Sequence, residues 1–187
     1  MESNRLLSDN YIKINHIASK CMRLFVILIL LYWVFTYIGG QCNFVILCSC
    51  MGVCCILALT PTVFIDMLKN NQGKCIKYIV IALAVLICTI LSTTLSYTAM
   101  IVWIFPMLVA SLYYNKTMVL YTALLSTLGV FGADIANYRL CDLVIPPVHA
   151  DFADNMILFI APCVIAIFLM SFVSYLSLIH ISEPTRQ

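Results

Sequence analysis

Twenty consecutive residues, Met156 to Tyr175, pass without one charged side chain. A spanning helix needs roughly 20 mostly apolar residues, because its backbone must satisfy itself across the hydrocarbon core. Five further windows read the same way: Leu24 to Ile38, Phe44 to Phe64, Tyr78 to Leu95, Ala99 to Tyr114 and Thr117 to Ala136. The first and fourth are short, so their ends are expected to reach into flanking polar residues. The runs are continuous rather than alternating, which favours helices over the strands of a barrel.

Composition agrees. Only 10% of residues are charged and 64% are apolar, with a mean hydropathy of +1.06. A water-facing surface ordinarily takes about 25% charged residues, so a soluble domain is excluded. The expected fold is an all-α integral membrane protein, a bundle of about six transmembrane helices. Residues 1–23 form a cytosolic lead with a short helix carrying Ile12, Ile14 and Ile17; residues 24–175 form the membrane domain. The first span follows a polar lead and no small-residue cleavage site comes after it, so it stays in the membrane.

Basic residues set the orientation. Arg5, Lys13, Lys20 and Arg23 precede the first span; Lys69, Lys74 and Lys77 lie between the second and third, and Lys116 between the fourth and fifth. Arg139 alone falls on the opposite side, in a long acidic loop read from Asn137 to Asn155. The positive-inside rule places the N-terminus in the cytosol, and six spans return the C-terminus there. In a bacterium this is the cytoplasmic membrane.

The tail LSLIHISEPTRQ, Leu176 to Gln187, is out of keeping with the helix before it. Its residues Leu176 to Arg186 resemble the translation of a sequencing-library transposase adapter. The expectation is that 176–187 is non-native and that the gene is truncated near Tyr175, so His180, Glu183 and Arg186 carry no functional argument.

No catalytic motif is visible: no phosphate-binding glycine loop, no paired metal-ligand histidines, no nucleophile elbow. Neither a catalytic residue nor a cofactor is expected. The cysteines Cys42, Cys48, Cys50, Cys54 and Cys55 invite a metal reading, since Cys50 and Cys54 share a helix face. Without polar companions they read better as small packing residues, and no metal is expected. A disulfide between Cys42 and Cys141 stays open.

The informative acid is Asp134 in GVFGADIANY. It either faces a cavity or partner inside the membrane, or lies hydrated at headgroup level. Gly129 and Gly132 nearby would allow close helix approach. Pro61, Pro106 and Pro162 lie within the spans and are expected to kink them. Tyr97 and Trp103 flank an outer hairpin, and Tyr113 and Tyr114 sit at the cytosolic end, as belt aromatics do. A ligand-binding rim for a small polar molecule is the alternative for Tyr97, Trp103, Tyr138 and Arg139, with Asp134 beside it.

The stretch from Lys77 to Asp142, with its SYTA hairpin, FPMLVASLYYNK run and LYTALLSTLGVF span, resembles the N-terminal multi-pass membrane region of bacterial signalling proteins. In such proteins the region precedes a cytosolic output domain: a diguanylate cyclase, a histidine kinase, a chemoreceptor rod or a phosphodiesterase. The resemblance implies a membrane sensor or anchor module. Its partners would be the lipid bilayer, a second copy of the chain and a small molecule at the outer face, with no nucleic acid. A small transporter or permease subunit with a cavity near Pro106 and Asp134 is the second expectation, and a membrane-embedded enzyme the third.

Overall fold

The computed structural model describes residues 2–38, 44–67, 73–95, 102–144 and 160–182; side chains are described over the greater part of these. Among the described residues the chain is helical without strands. Six helices succeed one another: α1 Glu2–Ile38, α2 Phe44–Met67, α3 Gly73–Leu95, α4 Ile104–Ser111, α5 Lys116–Val144 and α6 Ala161–Ser182. Four contain stretches long and apolar enough to cross a membrane: Ile12–Phe35, Cys48–Ile65, Cys75–Thr93 and Lys116–Ala136. This is the build of a helical membrane protein.

Helix α4 departs from the expected full-length span, and proline accounts for it. At about 1.5 Å per residue the eight residues of α4 rise only about 12 Å, less than half of a roughly 30 Å hydrocarbon core. Pro106 is the third residue of α4. In a first helical turn the missing N–H has no intrahelical acceptor to serve, so proline starts a helix there instead of kinking one. Pro61 lies in a helix interior, within α2. Helix α6 runs for 22 residues, Ala161–Ser182, about 33 Å at 1.5 Å per residue.

Helix α1 carries through position 23 without a break. Its buried stripe begins well before the apolar run, at Asn15, Ala18, Ser19 and Met22, and continues through Val26, Ile29 and Trp33. Steps of three and four residues keep that stripe on one face. Ser19 and Thr62 share a hydrogen bond of 3.0 Å and Tyr37 packs on Phe44 at 5.5 Å, so α1 and α2 run antiparallel. The Tyr113 hydroxyl donates to Asn15 Oδ1 at 2.8 Å, and Phe25 stacks on Phe105 at 3.8 Å. Together these set α4 antiparallel to α1.

Helix α3 is the most buried element and packs against α1, α2, α4 and α5. Lys74 and Lys77, expected in a loop, belong to its first turns. Lys77 is buried, its ammonium 5.2 Å from the Tyr78 ring. Helix α5 extends further than expected: it runs to Val144, so Asn137 to Val144 are helical rather than the start of a loop. Nothing between Ala136 and Val144 breaks a helix, whereas Ile145-Pro146-Pro147 does.

The α4–α5 connection is a tight turn. Tyr114 takes a left-handed conformation at φ 47°, and Asn115 Oδ1 accepts from the Thr117 N–H at 2.9 Å, capping α5. Replacing Asn115 with alanine should lower stability by about 1 kcal/mol, read as a shifted midpoint in chemical unfolding.

Candidate functional site

The site begins with a glycine. A Cβ at Gly129 would lie 2.7 Å from Trp103 Cη2, 2.8 Å from Thr89 Oγ1 and 3.0 Å from Trp103 Cζ3. The indole therefore occupies the space a side chain would need, wedged where α5 passes α3. A Cβ at Gly132 would touch nothing, so only the first of the two glycines serves close approach. Gly129→Ala should cost about 1–3 kcal/mol through overpacking, and trimming the indole should recover part of that loss.

Trp103 is 1% exposed, so it is not an interfacial belt residue. Its place comes from the short α4: the chain enters the bundle in a helical turn at Val102 and Trp103, and α4 starts from inside. The Cys88 thiol fixes that entry by donating to the Val102 carbonyl at 3.5 Å. Tyr113 is buried as well, whereas Tyr114 is 66% exposed and fits the belt reading.

Polar groups gather around this wedge. On α5, Met118, Thr122, Ser126, Val130 and Asp134 recur every fourth residue, and all are buried. Thr122 returns its hydroxyl to the Met118 carbonyl at 2.7 Å. Ser126 Oγ and Trp103 Nε1 are buried without a hydrogen-bond partner among the described residues. Such groups ordinarily find partners, and each orphan costs about 1–3 kcal/mol.

Asp134 is 4% exposed and makes no hydrogen bond or ion pair among the described residues. Tyr78 against Tyr121, at 5.2 Å, and Thr89 against Gly129 show α3 and α5 running parallel. The same offset sets Asp134 level with the Leu91–Thr94 turn of α3, where Ser92 is also buried. The carboxylate thus ends the buried α5 stripe that carries the Thr122 and Ser126 hydroxyls.

Of the rim read from sequence, Trp103 and Asp134 are both buried, but Asp134 lies five residues beyond Gly129 and so about 140° round α5 from the wedge. Tyr138 and Arg139 stand on α5 beyond Asp134, one turn and slightly more, with side chains outside the described residues. Tyr97 lies outside the described residues altogether. Sequence reading missed Thr122 and Ser126; their signal was the four-residue spacing that ends on Asp134. The eight described cysteines are free thiols, with Cys54 in the core beside Ala58 and Cys48 exposed. Cys42 and the side chain of Cys141 lie outside the described residues. Among the described residues no cluster of three or more metal-ligating side chains forms. No protein-family model, curated protein or solved structure matches this chain.

Proposed function

We propose that the chain is the membrane sensor or anchor module of a bacterial signal-transduction protein. Its cytosolic output domain would be a diguanylate cyclase or histidine kinase. The observation that carries this reading is the incompletely satisfied seam around Trp103. A buried indole N–H and a buried serine hydroxyl without partners among the described residues leave the present packing short of its best hydrogen bonding. A small polar ligand, or a shifted α3–α5 packing, would satisfy them, and a ligand favouring one packing shifts the population toward it. The antiparallel α1–α2 and α1–α4 pairs and the parallel α3–α5 pair support an alternating up-and-down bundle that passes such a shift inward.

The mechanism is a change in helix packing with α6 as the connection to the effector, in the cytoplasmic membrane with the N-terminus inside. Fusing residues 1–175 to a reporter kinase tests it. Trp103→Ala combined with Arg139→Ala should change basal or ligand-dependent output several-fold while the fusion stays in the membrane. Unchanged output with correct insertion would refute the reading.

A small transporter or permease subunit is the second reading, favoured by one observation. Helix α4 starts inside the bundle, and broken helices of this kind build substrate sites in transporters. Substrate accumulation by proteoliposomes carrying the chain alone would support it over the sensor.

A further inference from the structure

The outward face of α1 changes character along its length. From Leu24 on, its exposed residues are apolar: Leu24, Ile27, Leu28 and Leu31. Before that point the same face carries Lys13, His16 and Lys20 exposed and Arg23 half-exposed, at spacings of three, four and three, with Ile17 exposed beside them. The opposite face is packed over the same turns through Asn15 to Tyr113 and Ser19 to Thr62. The segment is therefore an upright helix of the bundle, not a separate helix lying on the membrane surface.

Its neighbours fix the height of the basic strip. The Ser19–Thr62 and Tyr37–Phe44 contacts give one register along the whole α1–α2 pair. By that register Lys20 is level with Pro61, between Leu59 and Val63, which are 54% and 55% exposed. The Asn15–Tyr113 and Phe25–Phe105 contacts set Leu108 of α4, 53% exposed, near the same height. Lys20 and Arg23 thus stand at the level of an apolar, lipid-facing belt on the adjoining helices.

A cation at that depth must snorkel along its stem or meet a counter-charge. The counter-charge that a membrane supplies at this height is the lipid phosphodiester. We propose that Lys13, His16, Lys20 and Arg23 form a binding site for one anionic phospholipid, whose headgroup is held between Lys20 and Arg23 at the inner end of the apolar belt. Lys13, about 10 Å closer to water by helical rise, and His16 meet the headgroup's outer side.

Native mass spectrometry of the full chain in neutral detergent, titrated with phosphatidylglycerol against phosphatidylcholine, tests the site. Wild type should prefer phosphatidylglycerol, and Lys20→Gln with Arg23→Gln should lower that affinity roughly thirtyfold. Exchanging the two cations, Lys20→Arg with Arg23→Lys, should retain the preference. So should Lys116→Gln, which removes an exposed charge on another helix, at the start of α5. The preference should also weaken with added salt. Equal binding of the two lipids by wild type, or an undiminished preference in the Gln pair, would overturn the proposal. If the Gln pair does not fold, loss of preference in the folded charge-exchanged variant, or an equal loss in Lys116→Gln, overturns it too.

Discussion

Trp103→Ala is expected to destabilise the bundle by about 3–5 kcal/mol, as large-to-small changes at buried aromatics do. The indole is almost wholly enclosed and fills the gap that Gly129 leaves between α3 and α5. Removing it opens a cavity that rigid helices cannot readily close. Trp103→Phe should cost much less, since it keeps a ring in the gap and removes an N–H that has no partner among the described residues. The order Ala, then Phe, then wild type in unfolding midpoint is the expected outcome. A mild Trp103→Ala would mean that the ring lies at the lipid interface instead. Combining Trp103→Ala with Gly129→Ala separates the two cases: a wedge predicts that the pair costs less than the sum of the singles, because the added methyl enters vacated space.

Asp134→Asn is expected to stabilise the protein by about 1–2 kcal/mol while removing ligand-dependent output. A carboxylate at the membrane midplane costs about 2.5–3.5 kcal/mol on insertion scales, and that bound shrinks toward a helix end. Asp134 is buried near the end of the apolar part of α5, with no hydrogen bond or ion pair among the described residues to offset its desolvation. Asparagine keeps the shape and removes the charge. A stability gain coupled to lost function marks a residue held against the needs of the fold. Unchanged stability would show a hydrated headgroup-level acid, and a large loss would show that the carboxylate is paired, with Arg139 the nearest basic residue along α5.

The apolar runs made the helical membrane character plain, because hydropathy is a local property. Gly129 was legible as a close-approach residue for the same reason, although sequence could not say that Gly129 is used and Gly132 is not. Trp103 was misread because a belt tryptophan and a buried one look alike in sequence; only the depth at which α4 begins separates them. That depth comes from Pro106 acting as a first-turn proline, a distinction set by where the helix starts. The inner half of α1 escaped a hydropathy reading because its packed face, Asn15, Ala18, Ser19 and Met22, is small and polar. Its partners, Thr62 and Tyr113, lie far along the chain. The outer part of α5 was read as a loop from its charges, yet no helix breaker interrupts it before Pro146.

The proposed role as a sensing module requires an output domain encoded downstream of the last membrane helix. Long-read sequencing of the genomic locus across the codon for Tyr175 is its most direct test. The account predicts that the adapter-like codons for Leu176 to Arg186 are absent from the genome and that the frame continues into a cyclase or kinase domain. A genome that carries those codons, or a stop directly after Tyr175, would contradict it.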